Sequence, residues 1–436
     1  MRRDPRFSYR VHGETLDNGL RALTVELPHL HSGLLALYVR AGSRHERPEQ
    51  SGVGHFLEHM FFRGSRAFPN SVAMHAAVED AGGNLNGYTS RDHAVYFTPI
   101  HPDGLGVACE VLADMIAAPL LTEMDVEREV ILEEMLDEVD ESGHDVDLEN
   151  LTKRVLWPGH PLSLKIAGTP KTVRALRVGD LREHHDRFYV GPNLVLCAAG
   201  PLDPREVARQ ARRHFSRFPA GRRSRERRPP RLPPGPHFRI FAHEESQTEL
   251  RLSFPGPPED GPDFLALSLA RRILDDGLSS RLPFEIVERR ALCYSLHCGI
   301  DAFSDVSVFE VEAAASHGKV AQALREICRT LGELQANGPT PEELDRAKAR
   351  HRMALEFTLD QTNEMAAWFG ATALFREPPS LERRADEIDA IDAPRLRRAL
   401  WRHLRRENLV VTAVGSPGKR QLAEIRKAAR EAPGLR

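Results

Sequence analysis

No stretch of this chain approaches 18 consecutive apolar residues, which excludes a helix that crosses a membrane. The first residues, Met1-Arg2-Arg3-Asp4-Pro5-Arg6-Phe7, lack the apolar core of a secretory signal, so a cytoplasmic location is expected. Cysteine is scarce. The five present (Cys109, Cys197, Cys293, Cys298 and Cys328) are odd in number and show no framework spacing. That excludes a disulfide scaffold and fits reduced thiols in a reducing compartment. Cys293 and Cys298 have apolar neighbours and read as core or strand residues rather than nucleophiles. An excess of one charge is also lacking. A net charge of -3 gives no reason to expect nucleic acid or an anionic membrane as partner.

What is present is ordinary for a folded protein: 41% hydrophobic and 28% charged residues over 436 positions. The length is too great for one core, so two domains are expected.

The informative stretch is Gly52-Val53-Gly54-His55-Phe56-Leu57-Glu58-His59-Met60. It contains H-x-x-E-H. On a helix, residues i and i+4 lie one turn apart on one face, so both imidazoles can reach a single metal ion. Glu58 sits beside that ion without having to bind it. Zinc peptidases are built this way: the ion lowers the pKa of a water, and a nearby carboxylate takes its proton. With 20 histidines in the chain, chance can supply the pattern, and a surface pair is the plain alternative. The test is a third ligand.

A second segment, Thr122-Glu123-Met124-Asp125-Val126-Glu127-Arg128-Glu129-Val130-Ile131-Leu132-Glu133-Glu134-Met135, has helical spacing of its apolar residues Val126, Val130, Ile131 and Met135. Thr122 is placed to cap it, and its acidic first turn suits the dipole. Glu127 and Glu134 are seven apart and share a face. Taken alone, the pattern reads as a solvated acidic helix.

His55-Phe56-Leu57-Glu58-His59, with Glu134 following 75 residues after His59, closely resembles the pitrilysin/insulinase family of inverzincin metallopeptidases, in particular its processing-peptidase-like bacterial group. The E-R-x-x-x-x-x-E pattern of that family matches Glu127-Arg128 through Glu134. The resemblance implies one Zn2+ per chain held by His55, His59 and Glu134, with Glu58 as general base. Glu127 would orient a ligand, while Glu129 and Glu133 would be solvated.

Gly82-Gly83-Asn84-Leu85-Asn86-Gly87-Tyr88-Thr89-Ser90-Arg91-Asp92-His93-Ala94-Val95-Tyr96-Phe97 is similar to the family's G-G-x-x-N-A-x-T-x-x-D-x-T-x-Y-Y strand, with Gly87 in place of alanine. The resemblance makes Asn86, Gly87, Tyr88 and Thr89 substrate-binding: a peptide pairs there as an added strand, through main-chain hydrogen bonds. The Gly-Gly and Asn-Gly pairs also read simply as hairpin turns.

The chain repeats itself. Asp180-Leu181-Arg182 and Asn193–Gly200 parallel Arg395-Leu396-Arg397 and Asn408–Gly415 at a constant offset of 215 residues. Between the halves lies a basic, proline-rich stretch, 220–236, a linker by composition. The expected architecture is therefore α+β, a tandem duplication with helices on one face of a mostly antiparallel sheet in each copy. The expected boundaries are 1–219 for the zinc-binding domain and 237–436 for a homologous domain without metal. The resemblance implies that two such chains close around a chamber like a clamshell, each chain being half, and that unfolded peptides are cleaved inside.

The second half departs from the family. Ser279 to Ser295 resembles S-S-R-L-x-x-x-I-R-E-x-R-G-L-A-Y-S, but the arginine that pairs with the substrate-gripping tyrosine is Val287, and the glycine is Ala291. Tyr294 remains as the substrate-binding tyrosine. Arg289 and Arg290 point elsewhere on a helix and are poor substitutes. The resemblance then implies a heterodimer with a homologous partner that lacks zinc and carries the grip. A self-sufficient homodimer and a non-catalytic scaffold subunit are the alternatives. A complete set of His55, Glu58, His59 and Glu134 argues against a scaffold. Two histidines and one carboxylate make a poor closed structural zinc site. Ser279-Ser280 has no nearby His-Asp pair for a serine hydrolase, and His184-His185 reads as a surface pair.

Overall fold

Gly33–Val39 and Leu194–Gly200 carry no polar alternation, and an unbroken apolar strand must be covered on both faces. Both are strands buried along their whole length. They form the centre of the first of two sheets in the structure, a computed structural model that describes residues 7–436. Among the described residues, no helix is long and apolar enough to cross a membrane.

The first sheet contains β1 (Arg10–Thr15), β2 (Arg21–Glu26), β3 (Gly33–Val39), β4 (Asn86–Thr89), β5 (Ala94–Ile100) and β6 (Leu194–Gly200), in the order β1-β2-β6-β3-β5-β4. Every pairing is antiparallel except β2 with β6. The second contains β7 (His237–Phe241), β8 (Gln247–Gly256), β9 (Ser295–Ala302), β10 (Ser307–Ser316) and β11 (Val410–Val414), in the order β7-β11-β8-β10-β9. It repeats the first sheet without β1, down to the single parallel pair, β7 with β11. The architecture is therefore α+β with two homologous, mostly antiparallel sheets.

The compact units around these sheets are discontinuous. The first holds residues up to 135, then 164–227 and 354–382; the second holds 136–163, 228–353 and 383–436. Sequence reasoning drew contiguous boundaries. The physical reason for the difference is the second face of each sheet. In the first unit, the helices Leu105–Ala117 and Pro204–Phe215 cover one face, and Thr362–Ala371 packs on β3 and β6. Gly370 permits that approach: a Cβ there would lie 2.4 Å from the Tyr38 ring. Tyr9 secures the same segment, donating to Glu382 at 2.9 Å and accepting from Leu381 N–H at 3.0 Å.

In the second unit, Leu148–Leu156 does the corresponding work on β8 and β11. Its Lys153 is fully buried, 3.3 Å from Glu310 and paired with Asp301. A buried ammonium is tolerable only with such partners. Trp157 packs edge-on against Phe303 at 5.4 Å.

The basic stretch expected as an extended linker is held at its start. Glu226 takes a bidentate pair from Arg40 at 2.6 Å, and Ser224 donates to the Arg40 carbonyl. Residues up to Arg227 thus belong to the first unit.

Pro283–Glu288 is a π-helical turn rather than an α-helix. Val287 is half-buried against the second core, and Arg289 and Arg290 both pair with Glu285. Ala291, at the family's glycine position, is held at φ +48°, a left-handed conformation that strains a residue with a Cβ. Ala291→Gly is expected to stabilise the chain by about 0.5–1 kcal/mol, relief of strain being partly offset by a freer unfolded state. A thermal melt should show a rise of roughly 1–3 °C.

Candidate metal centre

The Val53–Phe61 helix starts abruptly at Gly52, whose φ of +94° and approach to the Ala167 carbonyl (2.5 Å from a would-be Cβ) both require glycine. Its first turn has no capping side chain of its own. Glu46 supplies one from outside, accepting from Gly52 N–H at 2.7 Å and Gly54 N–H at 2.9 Å. Burial pushes the Glu46 carboxyl up to about 8, against the pull of those two hydrogen bonds.

The same loop holds the strand opposite. Ser43 N–H donates to the Ser90 carbonyl at 3.2 Å, Arg44 N–H to the Arg91 carbonyl at 3.0 Å, and Arg44 pairs with Asp92 at 2.6 Å. Gly42 permits this contact, since a Cβ would lie 2.4 Å from the Arg91 carbonyl oxygen.

The Met124–Glu134 helix is not capped by Thr122. Its N-cap is Glu123, in the left-handed region, with no side-chain cap. Nor do all its apolar residues face inward: Met124, Ile131 and Met135 are buried, while Val126 and Val130 are exposed. The reason is Arg128. Its guanidinium donates to the carbonyls of Val173 and Leu176 and lies 5.4 Å from the Phe56 ring. This fixes the helix rotation so that Glu127 turns inward and Glu129 and Glu133 stay in solvent.

That rotation assembles the cluster. One donor atom from each of His55, His59 and Glu134 lies within 4.8 Å of the others. His55 Nε2 is 3.7 Å from Glu134 Oε1, and His59 Nε2 is 3.5 Å from Glu134 Oε2. His59 Nδ1 is 3.0 Å from Glu127 Oε2, and Arg63 holds the other Glu127 oxygen. A nitrogen engaged at Nδ1 leaves Nε2 for an ion. Two imidazoles and one carboxylate at this spacing could hold one divalent cation with a coordination position to spare.

The electrostatics fit that purpose. Burial, then the neighbouring His59, lowers His55 to about 4, with Glu134 opposing. For His59 burial pulls downward, but its hydrogen bonds to Glu134 and Glu127 outweigh it and raise the pKa. Glu134 is lowered, first by its hydrogen bond with His59. Glu58, buried beside them, is raised by burial. Thr89 on β4 donates to Glu58 Oε2 at 2.5 Å. A cavity of about 260 Å³ opens here, lined by Glu58, His59, Phe62, Arg63, Ser71 and Glu127.

Asn86, Gly87, Tyr88 and Thr89 form β4, the terminal strand of its sheet, so one edge of it has no strand neighbour. Gly87 faces inward, where a Cβ would lie 3.1 Å from the Phe62 ring. All of these residues share the first unit. Tyr294 belongs to the second unit and is 92% exposed. Sequence reasoning missed Glu46, Arg63 and the inward role of Arg128. Only the E-R spacing hinted at the last.

Comparison with known proteins points to one family. Residues 21–170 match the family described as "Insulinase (Peptidase family M16)", and residues 175–350 match "Peptidase M16 inactive domain". A Mycobacterium leprae protein termed an uncharacterized zinc protease is 30% identical over 86% of this chain and 85% of its own length. The chain belongs to the insulinase family of peptidases. Among its insulinase-family relatives, the mitochondrial-processing peptidase subunit beta of Lentinula edodes is 27% identical over 92% of this chain and 89% of its own. The fold matches a protease from Helicobacter pylori with a TM-score of 0.86, at 21% identity, over 94% of this chain and 100% of that one.

His184, expected on the surface, is buried behind the Val53–Phe61 helix, and His185 is bonded to the Ile116 carbonyl at 2.7 Å. Burial, with the like charges of His45, His185 and Arg187, lowers His184 to about 3. All five cysteines are free and buried. His184 is neutral when folded and titrates near 6.5 when unfolded, so its contribution to stability is complete above about pH 6.5 and is lost as pH falls toward 3. The raised Glu46 carboxyl adds stability over the same fall in pH, so the His184 contribution is read by difference: in thermal melts between pH 7 and pH 5, wild type should lose stability relative to His184→Gln by up to about 1.4 kcal/mol per pH unit.

Proposed function

We propose that this chain is a zinc-dependent endopeptidase that cleaves peptides bound in extended form. One observation carries the reading: His55, His59 and Glu134 converge within 4.8 Å while Glu58 is held beside them by a residue of an open sheet edge. The names of the relatives, zinc protease and processing-peptidase subunit, support the metal and the reaction class.

His55, His59 and Glu134 would hold the zinc, one per chain. When bound, the ion supplies Lewis acidity at the scissile carbonyl and makes water a better nucleophile. The remaining work falls to the chain's own residues. Asn86–Thr89 pairs with the peptide backbone, which gives affinity without reading sequence. Glu58 takes a proton from the attacking water and passes it to the leaving amine, and a buried, raised carboxyl suits both steps. Glu127 orients His59, and Arg63 steadies Glu127.

The substrate grip is incomplete on this chain. Tyr294 is present, but Val287 is half-buried and Arg289 and Arg290 are committed to Glu285. A missing donor of that kind costs about 10²–10³ in rate. The reading is therefore a heterodimer whose homologous, zinc-free partner contributes the grip, with unfolded peptides as substrates.

Glu58→Gln is expected to abolish cleavage of a quenched-peptide library while zinc content stays at one per chain; residual turnover would remove Glu58 as base. Glu134→Gln should instead lower zinc content on dialysis, and unchanged content would assign the ligand to Glu133 or Glu129. The zinc-loaded chain alone is expected to be weakly active, with a rise of about 10²-fold when the zinc-free homologue is added. Full activity without it establishes the homodimer.

A further inference from the structure

The carboxylate of a glutamate turns freely about its last bond, so a general base on a helix needs something to hold it in line with the proton it takes. Here Thr89 on the sheet edge meets Glu58 with both its backbone N–H and its hydroxyl, Oγ1 lying 2.5 Å from Oε2. We propose that Thr89 is a positioning residue: its hydroxyl fixes one Glu58 oxygen and ties the base to the strand on which the peptide lies. The inference rests on the peptidase reading above and deepens it.

Three observations support it. First, the side chain points the wrong way for a substrate contact. Along β4 alternate residues share a face, and Gly87 and Thr89 face the metal helix, with Thr89 Cγ2 3.9 Å from the Cβ position of Gly54. An added strand pairs through backbone in the plane of the sheet, at right angles to that direction. Second, the relation between strand and helix is set by the Gly42–Glu46 loop. It bonds to the Ser90 and Arg91 carbonyls just beyond Thr89 and to the Gly52 and Gly54 N–H groups at the start of the helix. A peptide registered on β4 is thereby registered on Glu58. Third, packing alone does not call for a hydroxyl. A β-branched valine fills the same strand position equally well, so the oxygen is the part that needs a function.

The test compares Thr89→Val, which keeps shape and loses the donor, with Thr89→Ser, which keeps the donor. In the active zinc-loaded assembly, Thr89→Val is expected to lower kcat about tenfold, the effect of one lost charge-assisted hydrogen bond, with KM near wild type. Thr89→Ser should restore most of that loss. A rise in KM at unchanged kcat would make Thr89 a substrate contact, and equal losses in both variants would make it a packing residue; either overturns the proposal. Absence of any cleavage by the zinc-loaded wild-type assembly instead overturns the peptidase reading and is seen in a different sample.

A second measurement needs no activity. In the metal-free full chain, Thr89→Val should lower the melting temperature by about 2 °C in the wild-type background and leave it unchanged in a Glu58→Ala background. Equal drops in both backgrounds would mean that the hydroxyl does not act through Glu58, and the proposal fails.

Discussion

The loop from Gly42 to Glu46 is the constraint on which the centre depends. A helix N-terminus leaves N–H groups without partners, and burying them is costly unless something accepts. Glu46 accepts two of them, and two residues earlier in the same loop backbone N–H groups grip the β4–β5 turn. The Val53–Phe61 helix and the sheet edge are thus fixed to one piece of chain. Loops that carry function usually owe their accuracy to a scaffold. Here a short loop is the scaffold for a helix and a strand.

Four glutamates in this region show how environment assigns different work to one side chain. Glu46 is buried against backbone donors and its carboxyl is pushed up to about 8. Glu58 is buried with the hydroxyl and backbone of Thr89 as donors, and burial raises it. Glu127 is buried between an imidazole and a guanidinium. Glu134 is half-exposed between two imidazoles and is lowered. A carboxyl raised by burial can hold and release a proton, whereas one lowered by neighbouring imidazoles stays ionised and suits a cation.

The duplication of the sheet left each copy with a face that its own half does not cover. Residues 354–382 cover the first sheet and 136–163 the second, so the halves exchange segments. The fits are specific: Gly370 against Tyr38 in one unit, and the buried Lys153 against Glu310 and Asp301 in the other. A buried ammonium with two carboxylates tolerates little displacement, because each unpaired charge would carry its full desolvation cost.

Glu134 was legible only through the family resemblance, but the sequence by itself carried the H-x-x-E-H pair of candidate ligands, the duplication and the class of fold. These follow from short-range periodicity: i and i+4 on a helix, unbroken apolar strands, and a constant offset between halves. The exchange of segments was not legible there, because covering a sheet face is a long-range event with no local pattern. Only the tertiary structure decided that Val126 and Val130 face solvent, that His184 is buried, and that Thr122 is not a cap. Each was set by a neighbour distant in sequence, such as the Val173 and Leu176 carbonyls that hold Arg128. It also decided that Thr89, expected beside the peptide, turns its hydroxyl to Glu58. Alternation along a strand tells which residues share a face, but which face meets the helix is settled only when the two elements pack.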